Sequence, residues 1–284
     1  VLPFVVFLLV LCPCVAFAFN YSKRVAHGEE GALSAALDHV IQTGVVPMET
    51  MHLWFLYHLA WIPVIVTGTV ALMSRFGAAW PSAVARLRAT CESAWRSTLV
   101  FGLLNFALWS ALGWNILPTS TAWFPDPTIL AYYVGCYSLG WALFAGEFDL
   151  SSLTRGSTAL VCTGVLAGFL GYLGMNPEIG LGGRESRALA CLALVTLTRG
   201  LSGLFIRFAS TPSLAWRYVS DSSYWVYLVH LPLCVLIPSL IVRWELPFLP
   251  KWICAMALIT LFCLATYDLA VRATPVGRLL NGRT

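Results

Sequence analysis

The chain has 284 residues, of which 59% are hydrophobic and only 11% charged, with a formal net charge of +4. Soluble domains are roughly a quarter charged, so this composition, with a mean hydropathy of +0.79, excludes an ordinary soluble domain. It points instead to an all-α fold, a polytopic bundle of transmembrane helices partnered by membrane lipid. The pI near 8.6 fits basic loops beside a bilayer, and no nucleic-acid partner is read from it.

The first candidate span is residues 1–19, VLPFVVFLLVLCPCVAFAF. Ala16-Phe17-Ala18 mimics a signal-peptide cleavage site, but the basic leading region of such a peptide is missing. The segment is therefore read as a span. No initiator Met precedes Val1, so a longer natural protein is expected. Crossing a ~30 Å hydrocarbon core takes roughly 20 mostly apolar residues. Seven later segments satisfy this: 52–73, 98–117, 129–146, 158–175, 188–207, 224–242 and 251–271. Loops rich in Pro, Gly and charge separate them, such as PTSTAWFPDP and MNPEIGLGGRESR. Residues 1–284 read as a single integral-membrane domain.

Four features along the chain stand out, three of them bearing on chemistry and one on packing. In METMHLWFLYHLAWIPV, His52, Trp54 and Tyr57 crowd one helix end, with His58 one turn further in. Aromatics at that level form interfacial belts, and stacked with imidazoles they also suit a sugar. Gly164 and Gly168 have GxxxG spacing, with Gly171 beyond, a mark of close helix packing. Arg199 lies inside a span. Its guanidinium either snorkels to the surface or, if buried, recognises phosphate or carboxylate.

The fourth feature is SDSSYWVYLVHLPLCVL, residues 220–236. SDSS reads as a helix start capped by Asp221 or Ser222. His230 then lies about 12 Å into the span, and Arg199 a similar depth from the same side at 1.5 Å per residue. Pro232 cannot donate to the carbonyl four residues back, which frees the Leu228 carbonyl. In lipid that carbonyl needs a partner or a wet cavity. Tyr227 shares a face with His230. An ionisable residue within a bilayer is a functional candidate, so Arg199, Tyr227 and His230 are expected to line one cytoplasm-facing cavity.

The nine cysteines form no CxxC pair and fall almost wholly in the spans, so they read as small packing residues. No metal site is expected, and no bound cofactor. Lys and Arg divide ten to six. Arg75, Arg86, Arg88, Arg96, Arg155, Arg207, Arg217, Arg272, Arg278 and Arg283 lie on one side, and Lys23, Arg24, Arg184, Arg187, Arg243 and Lys251 on the other. The richer side is cytoplasmic. That puts the C-terminus and the loop at 75–97 inside, and the loop at 20–51 outside.

MHLWFLYHL, YYVGCYSLGWALF and SYWVYLVHLPL together resemble motifs of the membrane-bound acyltransferase 3 family. The ending YDLAVRATPVGRLLNGR is similar to that of its glucan biosynthesis protein C branch, implicated in succinylating periplasmic glucans. The likeness runs over roughly the whole chain. It implies about ten spans in the full protein, and a basic residue and a histidine about ten positions apart on the first. Those spans would precede Val1 and carry the main catalytic histidine, leaving His230 a supporting role and this chain by itself inactive. The resemblance also implies a bacterial inner-membrane enzyme moving an acyl group, succinyl or acetyl, from cytoplasmic acyl-CoA to a glucan or other carbohydrate hydroxyl. Arg199 would meet the donor, and Tyr227, His52, Trp54, Tyr57 and His58 would line the substrate sites. The rival reading is a transporter or a structural membrane protein. Broken helices with ionisable residues suit transport, but no inverted repeat is visible and the spans are nearly free of acids, Asp268 lying close to one end.

Overall fold

A computed structural model describes residues 2–43, 50–74, 80–175, 182–275 and 277. Among these every regular element is helical: α1 (Leu2–Ala26), α2 (Ala32–Thr43), α3 (Trp54–Ser74), α4 (Trp80–Glu92), α5 (Ala94–Leu112), α6 (Pro127–Ala145), α7 (Ser157–Gly174), α8 (Gly183–Ala209), α9 (Leu214–Ile241) and α10 (Phe248–Ala270). Short 3₁₀ helices occupy Met51–Leu53 and Leu150–Thr154. Six helices among the described residues are long and apolar enough to cross a membrane: α3 with its preceding 3₁₀ turn, then α6, α7, α8, α9 and α10. Large apolar side chains such as Phe144, Phe169, Phe205 and Leu261 are exposed along them, as lipid-facing residues are. The chain is a multi-pass membrane protein.

The remaining two expected spans are also helical. α5 ends at Leu112, five residues before the expected limit of 117, because Gly113 adopts the left-handed conformation (φ 72°). That is the usual helix stop. The stretches 20–51 and 75–97, read as loops, contribute the end of α1 together with α2 and α4. Arg75, Arg278, Arg283 and most of the C-terminal GRLLNGRT stretch lie outside the described residues.

The largest correction concerns α9. It begins at Leu214, not at SDSS: the Ser213 hydroxyl accepts from the Trp216 N–H and forms the cap. The serines of SDSS sit inside the helix. Ser222 and Ser223 donate their hydroxyls to the carbonyls of Val219 and Ser220, the way serine is accommodated in a helix interior. Counted from Leu214, His230 is sixteen residues in, about 24 Å by helix rise. The residues from which the depth of about 12 Å was counted are therefore helix interior and not the helix start.

The chain divides into two compact units. The first comprises Val1–Trp61, Ser120–Asp126 and Ser213–Thr284, the second Ile62–Thr119 and Pro127–Pro212. In the first, α9 packs between α1 and α10. Its core joins Leu11 and Cys12 of α1, Leu53 and Leu228, with Trp123 and Trp225 against them. Trp225 Nε1 donates to Thr266 of α10 at 3.0 Å. In the second unit α7 and α8 form the closest pair, and α5 and the 3₁₀ turn Leu150–Thr154 also pack on α8. Gly164, Gly168 and Gly171 do mark this contact. A Cβ at Gly164 would meet Leu197 and Thr196 within 2.7 Å, while at Gly168 the nearest atom, Ala193 Cβ, is 3.6 Å away. Arg187 of α8 clasps the end of α5, donating to the Trp114 carbonyl at 2.7 Å, Ser110 Oγ at 3.1 Å and Asn115 Oδ1 at 2.9 Å.

Candidate functional site

The carbonyl that Pro232 leaves without its helical donor has a partner. His52 Nε2 lies 3.0 Å from Leu228 O. A carbonyl only accepts, so this nitrogen carries the proton and Nδ1 bears the lone pair. That Nδ1 is buried and has no partner among the described residues. The link is reciprocal, since the Tyr227 hydroxyl donates to the His52 carbonyl at 2.6 Å. Leu228 is fully buried and Pro232 nearly so, so the exchange takes place away from bulk water. The 3₁₀ turn Met51–Leu53 is thereby pinned to the broken turn of α9.

His230 completes the cluster. Its Nδ1–H donates to the Tyr227 carbonyl at 2.7 Å, which leaves Nε2 as the basic nitrogen. The His52 and His230 rings meet edge to face at 5.9 Å, and Tyr227 lies 6.2 and 6.0 Å from them. Three of the residues singled out in the sequence thus form one imidazole–phenol cluster, drawn from segments about 175 positions apart in the chain.

Trp54, Tyr57 and His58 stand beside it on α3. His58 is buried, donating Nδ1–H to the Trp54 carbonyl at 2.8 Å and lying edge-on to Trp54 at 5.5 Å. The Tyr57 hydroxyl donates to the Trp123 carbonyl at 2.7 Å, with the two rings 5.8 Å apart. Trp123 was missed by sequence reasoning, although it stands in the loop PTSTAWFPDP. Thr50 anchors that loop through the Thr121 carbonyl, which accepts from both its N–H and its hydroxyl at 2.7 Å.

Arg199 belongs to the second unit and His230 to the first, so neither unit contains both. Arg199 is only 7% exposed and does not snorkel. Its two terminal nitrogens donate to the carbonyls of Cys91, near the end of α4, and Ser152. These are helix-end carbonyls that lack helical donors. Cys91 is buried, and burial pushes its thiol pKa up against the opposing pull of the Arg199 charge. Arg199 also lines a cavity of about 1170 Å³. On the same wall the Tyr132 hydroxyl donates to Asn105 Oδ1 at 2.6 Å.

Comparison with protein-family models, with curated proteins and with solved structures found no match for this chain.

Proposed function

We propose that the protein is a membrane-embedded O-acyltransferase that moves an acyl group, succinyl or acetyl, from acyl-CoA to hydroxyls of an exported glucan or other carbohydrate. The observation that carries this reading is the His52–Tyr227–His230 cluster at the turn of α9 opened by Pro232. His230 Nδ1–H is committed to a carbonyl, so Nε2 is the nitrogen able to accept a hydroxyl proton, and imidazole suits that task near neutral pH. In the reaction the acceptor hydroxyl loses its proton to a base. Its oxygen bonds to the thioester carbonyl, the C–S bond breaks, and the CoA thiolate leaves and is protonated. In this scheme His230 has a supporting role, holding or polarising a reacting group. Trp54 and Tyr57, joined by Trp123, offer aromatic faces and edges for a sugar, while buried His58 packs against Trp54. Arg199 offers a cation for the donor's phosphate or for a succinyl carboxylate. The motif resemblance assigns the enzyme to a bacterial inner membrane, and the ten-to-six division of Lys and Arg supports a cytoplasmic C-terminus.

The test is transfer of radiolabel from succinyl- or acetyl-CoA to glucan in membranes carrying the natural gene product. Alkali-labile label on the glucan is the expected result. Flux of glucan or acyl donor across sealed vesicles, with no ester formed, would overturn the reading in favour of transport.

A further inference from the structure

The cavity of the second unit is mostly apolar, with Phe101, Leu139, Phe148 and Leu194 on its wall. At about 1170 Å³ it exceeds the ~300–1,000 Å³ of most small-ligand pockets. Asn105 and Tyr132 in its wall satisfy one another, and the Asn105 amide also donates to the Phe101 carbonyl at 2.7 Å.

Arg199 differs from them. A guanidinium has five N–H donors. Two of Arg199's are used on the carbonyls of Cys91 and Ser152, so three remain (five less two). Nε is buried and without a partner among the described residues. The ion pairs among the described residues involve other arginines. Glu147, the acidic residue on the cavity wall, is exposed and makes no ion pair with Arg199. A nine-tenths-buried cation therefore faces an apolar cavity without a counter-charge.

Withdrawing an uncompensated charge from water is unfavourable, so this wall attracts an anion. A small hydrated anion would satisfy the guanidinium but leave the apolar wall against water. A neutral lipid tail would cover the wall but leave the charge uncompensated. We infer that the cavity binds an anionic amphiphile, a carboxylate or phosphate head at Arg199 with its hydrocarbon tail along Leu139 and Leu194. This deepens the reading of Arg199 as an anion-binding residue and rests on that part of it alone. Carboxylate lipids and phospholipids share the required chemistry.

The experiment uses the protein in phosphatidylcholine nanodiscs and three photoactivatable probes: a long-chain fatty acid, its alcohol, and a phosphatidic acid. Adducts are mapped by mass spectrometry. Adducts of the fatty acid or the phosphatidic acid are expected on α5, α6 and α8 at cavity positions, with the alcohol about tenfold weaker, the scale of one charge-assisted hydrogen bond. The stronger of the two anionic probes identifies the source. Arg199→Gln should bring the anionic probes down to the level of the alcohol. Should Arg199→Gln fail to fold, Leu139→Trp, whose larger ring narrows the apolar wall and leaves Arg199 in place, should weaken labelling by all three. Equal labelling by acid and alcohol, or labelling that Leu139→Trp leaves unchanged, would overturn the inference. Acyl transfer, measured in parallel on membranes carrying the natural gene product, separates the two proposals. Transfer without cavity adducts removes this one alone, and adducts without transfer remove only the enzymatic reading.

Discussion

At the scale of single residues, the informative event is a hydrogen bond displaced from backbone to side chain. Pro232 supplies no N–H to Leu228 O, and His52 Nε2 supplies one instead. His52→Phe should therefore leave a buried carbonyl unsatisfied and cost about 1–3 kcal/mol. Pro232→Ala restores the helical donor, so on that background the same substitution should cost much less. A double-mutant cycle of thermal melts in detergent measures the coupling, and strictly additive effects would sink the idea. His230→Ala tests the neighbouring imidazole. If Nε2 assists a reacting group, turnover should fall by about tenfold or more at unchanged protein yield, whereas loss of yield with normal specific activity would make the residue structural. The pairing of His230 with Tyr227 was legible from their spacing of three. That His52 would take the Leu228 carbonyl was not, because nothing in local sequence ties residue 52 to residue 228.

At the scale of elements, small residues determine how closely α7 and α8 approach. The GxxxG spacing on α7 was readable, but Gly200 and Gly203 on α8 carry equally tight contacts that no short motif announced. A Cβ at Gly203 would lie 2.8 Å from Ser157 Cβ and closer still to the Leu153 carbonyl, which is backbone and yields poorly. Gly203→Ala should therefore lower stability by about 1–3 kcal/mol, as overpacking does. Gly168→Ala, with its nearest neighbour 3.6 Å away, should be close to neutral. Similar melting temperatures for the two variants would contradict the packing account. At the end of α4, burial raises the Cys91 thiol pKa, which keeps the reactive thiolate scarce. Native protein at pH 7 should leave Cys91 unmodified by N-ethylmaleimide, and denaturation should expose it; rapid modification of the native protein would show that the thiol is not buried. The start of α9 was misread because serine and aspartate favour caps, yet within a long helix they can bond to their own backbone instead.

At the scale of the whole molecule, the ten-to-six basic asymmetry predicts a cytoplasmic C-terminus. A cysteine placed at Thr284, outside the described residues, should resist an impermeant thiol reagent in intact cells, and ready labelling would reverse the topology. The helical membrane character of the chain was determined by sequence alone, since composition and the length of apolar runs are summed along the chain and need no knowledge of contacts. So was the break at Pro232, which follows from one missing N–H. Tertiary structure alone decided what answers that break, because hydrogen bonds between distant segments depend on which helices meet. It likewise decided that Trp123 joins Tyr57, and that Arg199 is buried against the carbonyls of Cys91 and Ser152 instead of snorkelling. A side chain's depth in a bundle depends on the neighbours that cover it, and a one-dimensional pattern does not contain them.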